Sequence, residues 1–286
     1  DPAEATDSTH DEQGQLAEVG QKLSNPVSDV WALFTEFDLT FSDGDFNRGG
    51  AEPGSSILFQ PILPLPLHGE GEEQWKLIVR PTVPLLLGQP VPKIDVPAPG
   101  LPPRTNRFNN LSGLAYTALP PLASPPTGNW LIGLGPTFLL PTATRDEFSS
   151  NQWSLGPAAV LGYKTSKWVA GVFPQWYFRV GSAGQGSEPD VNRLSLLYFF
   201  SYNLPEAWQI GFNPVATYDR RAKGSNAWNV PVGLFVAKTT KFGKLPVKFQ
   251  FGLEYSVVSQ DDFGKRFLLK LNVIPVIPSL VKRPLL

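Results

Sequence analysis

Apolar and polar residues alternate with period two along most of this chain. From Val247 to Val257, the residues Val247, Phe249, Phe251, Leu253, Tyr255 and Val257 fall on one face. Lys248, Gln250, Gly252, Glu254 and Ser256 fall on the other. That period marks a strand whose two faces meet different surroundings. Twelve segments read this way, at about 30–42, 55–67, 74–88, 113–123, 129–141, 152–164, 167–181, 191–203, 207–221, 227–240, 245–259 and 265–278. Ahead of them, Leu16, Val19 and Leu23 stand at helical spacing and Asn25-Pro26 stops the helix. The pattern predicts a flexible acidic tail over 1–14, a short amphipathic helix over 15–26, a sheet domain over 27–280 and a C-terminal tail over 281–286.

The connections alternate in length. Long polar ones lie at 42–54, 88–112, 142–151, 181–190, 221–226 and 260–265, and short ones at 68–73, 124–128, 165–166, 204–206 and 241–244. Six long loops on one rim, five short turns on the other and an even strand count are the asymmetry of a membrane barrel. Tryptophan follows the same geometry. Trp75, Trp130, Trp168 and Trp208 each follow a short turn, and Trp153 and Trp228 follow long loops. These six predict two interface girdles, where an indole buries its ring and keeps its N–H wet. The expected fold is therefore all-β: a twelve-stranded antiparallel transmembrane β-barrel preceded by a short helix. Prolines resist this reading. Pro61, Pro64, Pro66, Pro81, Pro84, Pro275 and Pro278 fall within or beside strands, where a residue without an N–H implies a bulge or a ragged end.

Composition narrows the chemistry. There is no Cys, and the two His are His10 and His68. Thiolate chemistry and a clustered-His metal site are thereby excluded. A formal net charge of −1 offers no field for nucleic acid. Neither His lies on an outward strand face, so a lipid-facing Ser–His pair is not expected, and no catalytic residue, metal or cofactor is assigned. Asp43-Gly44-Asp45 and Asp261-Asp262 are acidic pairs that could take Ca²⁺, though solvated loop charge explains them more simply. No apolar run is long enough for a transmembrane helix. The acidic start at Asp1 reads as the end left by removal of an export signal.

Several ordered stretches carry a resemblance: Asn25-Pro26-Val27, Leu58-Phe59-Gln60-Pro61, Gly133-Leu134-Gly135-Pro136, Leu140-Pro141-Thr142-Ala143-Thr144, Gly156-Pro157-Ala158-Ala159, Lys167-Trp168-Val169-Ala170-Gly171, Asn213-Pro214 and Trp228-Asn229-Val230-Pro231-Val232-Gly233. In this order the chain resembles a bacterial outer-membrane family described as phenol-degradation (meta-pathway) transporter-like proteins, whose close relatives often carry the misleading label neuromedin U. The resemblance implies a barrel in the bacterial outer membrane with a channel role for small aromatic or apolar compounds. The Pro284-Leu285-Leu286 end departs from the aromatic terminus common among such barrels.

Alternation assigns a polar lumen face: Glu36, Asp38, Lys76, Arg80, Gln175, Arg179, Arg193, Asn213, Asp219, Lys248, Gln250, Glu254, Lys270 and Asn272. Both signs of charge occur, which argues against a strong ion selector. Two readings stay open. One is a passive channel whose partners are outer-membrane lipid and a small solute. The other is a closed barrel serving as a structural or partner-binding part of a larger envelope assembly, or as a homo-oligomer. The helix fits either the lumen mouth, as a plug, or the membrane interface.

Overall fold

A computed structural model describes residues 2–93, 107–184, 190–281 and 283–286, with the backbone alone described for 2–10 and 48–49. Twelve antiparallel strands close on themselves. They are β1 (Ala32–Gly44), β2 (Asn47–His68), β3 (Trp75–Val79 continuing as Val83–Pro92), β4 (Phe108–Leu114, Thr117–Leu119 and Pro121–Ser124), β5 (Trp130–Leu140) and β6 (Gln152–Lys164). The second half comprises β7 (Trp168–Ser182), β8 (Asn192–Asn203), β9 (Trp208–Phe212 and Val215–Asp219), β10 (Trp228–Phe242), β11 (Leu245–Val258) and β12 (Gly264–Pro275). β1 pairs with β2 on one side, in register Glu36 with Leu58, and with β12 on the other, in register Glu36 with Asn272. That seam removes both sheet edges, the liability that an open sheet of this size would carry.

Proline explains the breaks in two of the segmented strands. β3 breaks at Arg80-Pro81-Thr82 and β9 at Asn213-Pro214. Each ring removes a ladder donor, and the strand resumes beyond it in the same sheet. Pro64, Pro66 and Pro275 instead stay within paired strands, opposite Ile78, Lys76 and Val247.

The outward face is apolar. Phe251 is 48% exposed while its neighbour Gln250 is 3% exposed, and Leu253, Tyr255 and Val257 follow Phe251 outward. An outer surface of this kind suits a bilayer and not water. At the short-turn end Trp75, Trp130 and Trp208 are exposed, and Trp168 is half-buried. A chain of rings links Trp130 to Tyr163 edge-on at 5.1 Å, Tyr163 to Trp168 at 5.8 Å and Trp168 to Phe200 at 6.5 Å. Trp153 and Trp228 stand exposed at the opposite end.

Four expectations change. The helix, α1, spans Pro2–Leu23 and not 15–26. The extra turns cover the segment read as a flexible tail, and Pro2 at their start supplies a preset φ where no N–H is needed. The 42–54 loop is instead a hairpin: β1 and β2 pair out to Gly44 and Asn47. Backbone N–H groups of Asp45 and Phe46 bond Asp261 O at 2.7 Å and Asp262 O at 2.9 Å, so the two acidic loops tie together. β3 and β4 likewise extend beyond the predicted rim to Pro92 and from Phe108. The 281–286 tail is tied down at its end, where Leu285 and Leu286 N–H groups each bond β2 carbonyls of Pro66 and Leu67 at 3.0 Å.

Candidate functional site

The C-terminal half of α1 enters the short-turn mouth of the barrel. Leu16 and Leu23 are buried. Gly20 lies so close to the wall that a Cβ there would sit 2.5 Å from Thr239 Oγ1 and 3.2 Å from Gln209 Oε1. Lys248 reaches in from β11 and donates from Nζ to Gly20 O at 3.2 Å and Ser24 Oγ at 2.6 Å. A cation placed on the last carbonyls of a helix answers both their unpaired lone pairs and the negative end of the dipole. Gln21 Nε2 donates to Thr165 O at 2.8 Å.

Beyond the helix the chain turns inward. The Asn25 side chain accepts from Val27 N–H at 2.9 Å, forming an Asx turn at Pro26. Val27 then seats in an inward-facing apolar cluster with Ile78, Leu122, Leu131, Val160, Val169, Phe173 and Phe199. Gly133 makes room for it, since a Cβ there would meet Val27 Cγ1 at 2.8 Å. A second cluster joins Leu23 to Ala32, Ile62 and Ile274.

Three spaces result. The space at the short-turn end, about 470 Å³, lies between α1 and the turns and includes Lys76, which pairs with Asp29 at 3.5 Å. A middle cavity of about 160 Å³ lies against Leu23, Ser24 and Pro26. A vestibule of about 510 Å³ opens at the long-loop end past Tyr116, Arg193 and Asp219.

The lumen residues expected from sequence distribute among these spaces. Lys248 is buried against α1. Glu36, Arg80, Asn213, Gln250 and Lys270 line the middle cavity. Glu254 and Lys270 form a buried ion pair, each 6% exposed. Asp38 faces Lys270 across the β1–β12 pair, and Asn272 stands between Glu36 and Gln250 in register. Asn272 is wholly buried with no partner for its amide among the described residues. Toward the vestibule, Gln175 Oε1 accepts from Tyr177 Oη at 3.0 Å and Thr137 Oγ1 at 3.1 Å. Arg193 donates to Tyr116 Oη at 2.5 Å. Arg179 stands at the exposed outer rim, bonded to Asp190, so it tethers a loop and does not line the barrel's middle. Asp219 accepts from Arg221 N–H at 2.8 Å beside the same vestibule.

The acidic loops are engaged by neighbouring side chains. Asp43 accepts from Arg266 Nε at 2.7 Å, and Asp262 accepts from Asn226 Nδ2 at 2.8 Å. Among the described residues no three His, Asp or Glu gather to hold an ion. His68 lies exposed at the end of β2.

The apolar inward cluster was not read from the sequence. Its signal is present in runs apolar on both faces, Ala158–Leu161 and Tyr198–Phe200. Such runs mark strands buried on both sides.

No family model and no curated protein sequence matches the chain. Solved structures do. The chain is similar to the crystal structure of an outer membrane channel from Pseudomonas putida F1, with a TM-score of 0.63 and 10% identity over 89% of this chain and 98% of that one. It is also similar to the NanC porin, with a TM-score of 0.48 and 8% identity over 86% of this chain and 99% of that one. What the first likeness establishes is the fold, the closed twelve-strand antiparallel barrel.

Proposed function

We propose that this protein is an outer-membrane channel for passive entry of small apolar or aromatic solutes, as the family resemblance implies. The observation that carries the reading is the apolar surface that Phe34, Leu58, Leu197, Phe199 and Phe235 give the middle cavity, with Phe199 joining it to the buried inward cluster. Water-filled porins line their lumen with polar groups. An apolar wall lowers the barrier for an apolar solute and raises it for ions. The likeness to an outer membrane channel fits the same reading. Lipid contacts the outward belt, and the tryptophans at the two ends mark its interfaces.

A second reading draws on Val27 and α1, which close the short-turn end. In it the barrel is permanently shut and serves as a structural or partner-binding component of the envelope. Proteoliposomes loaded with a solvatochromic aromatic dye separate the two. The channel reading expects dye exchange in the intact chain and faster exchange on deletion of residues 2–23. No exchange in either form would leave the closed barrel standing.

A further inference from the structure

We infer that the middle cavity is a binding site for a monocyclic aromatic carboxylate, held through Arg80. This rests on the channel reading and deepens it by naming the solute class. Arg80 sits where Pro81 breaks β3, and its guanidinium lines the cavity. Its hydrogen bonds are long: Nη1 to Pro26 O at 3.4 Å and Nη2 to Gln60 Oε1 at 3.4 Å. Both acceptors are neutral. No carboxylate lies within ion-pair distance of Arg80 among the described residues.

The other charges of the cavity are in a different position. Lys270 pairs with Glu254, and its strand runs beside Glu36 and Asp38. The positive charge there is already answered by carboxylates. Of the cavity's two cations, Arg80 is the one that presents a planar fork of donors without an anion among the described residues. That geometry takes a carboxylate in two parallel hydrogen bonds, and burial without such a partner is costly.

The walls define the rest of the ligand. Phe34, Leu58, Leu197, Phe199 and Phe235 surround the space with apolar surface. A volume of about 160 Å³ compares with the roughly 150 Å³ cavity that holds a benzene ring. One ring with one carboxylate fits both features.

The experiment is isothermal titration of the full chain in detergent with benzoate, benzyl alcohol and toluene. The variants are Arg80→Gln, Arg80→Lys and Leu58→Trp. Saturable benzoate binding is expected in the unmodified protein, with Arg80→Gln weaker by at least about tenfold, the size of one lost charge-assisted contact. Arg80→Lys should fall between them, since charge remains without the fork. Leu58→Trp should abolish benzoate binding by filling the cavity with Arg80 intact, and it serves if Arg80→Gln does not fold. The two neutral ligands should respond to Leu58→Trp and not to Arg80→Gln. Benzoate binding that ignores Arg80, or neutral ligands binding while benzoate does not, overturns the carboxylate site and leaves an aromatic channel in place. The dye-exchange assay reads the channel reading separately.

Discussion

Lys248 Nζ donates to Ser24 Oγ at 2.6 Å, fastening the first residue after α1 to the wall of β11. The ammonium is buried and also bonds Gly20 O. Lys248→Met keeps the stem and removes the charge. The barrel itself should be no less stable, because a desolvated cation is gone. The helix should dock less firmly, losing about 1.5 kcal/mol, so that single-channel openings become about tenfold more frequent. Thermal unfolding and planar-bilayer recordings on the same variant check the two halves. A large fall in barrel stability with unchanged openings would contradict the fastening role.

Val27 depends on Gly133 in the same way. A leucine at 133 must displace Val27, whose Cγ1 already stands 2.8 Å from the site of a Cβ. Overpacking of this kind costs about 1–3 kcal/mol. Gly133→Leu is expected to free the 24–31 segment, seen as new protease sensitivity there, while the strands stay resistant.

Glu254 and Lys270 should behave as a unit. Removing either partner strands a buried charge and costs about 3–5 kcal/mol, whereas removing both costs much less. Denaturant unfolding of Glu254→Gln, Lys270→Met and the double variant gives the cycle. Additive losses would show that the pair does not couple.

Side-chain facing has its own test. Phe251→Arg places a cation on the outward belt at a cost of about 2–4 kcal/mol, enough to lower the assembled fraction sharply. Gln250→Ala, one residue away on the inward face, should assemble nearly as the parent does. Yields of folded barrel, compared side by side, decide it.

At the outer rim, hydrogen bonding from Arg179, with the charge of Arg221 nearby, holds the Asp190 carboxyl below its ordinary value. A depressed folded-state pKa means that the tie contributes above the unfolded value, about 4, and is lost as pH falls through the folded one. The loop tether should therefore be unchanged from neutral pH down to about 5 and should weaken only in stronger acid. Asp190→Asn should remove the ionic tie at every pH. A carboxyl-carbon NMR titration of Asp190 reads the midpoint directly.

Much of the barrel was legible because each face of a strand such as Val247–Val257 meets a different solvent, and period two records that difference. The N-terminal turns of α1 were not legible, since Pro2–Gly14 lacks an apolar stripe and only a stripe distinguishes a surface helix from coil. The placement of α1 was open for a related reason: Leu16 and Leu23 are satisfied equally by lipid or by a lumen wall. The polar residues of the middle cavity fell on the expected face, yet sequence gave no sign that Arg80 stands without an anion while Lys270 is surrounded by them. That depends on which strands face one another across the lumen, and on the break at Pro81. Arg179 followed the alternation and still left the lumen, because β7 runs past the rim.

The Leu23 cluster carries a consequence for the order of assembly. Its members Ala32 and Ile274 come from the first and last strands, and Ile62 from the second. The pocket that receives Leu23 therefore exists only after the two ends of the sheet have met. A chain whose final strand has yet to arrive has no socket for its own N-terminal helix. Seating of Leu23 is thus a report that the first and last strands of the barrel are joined.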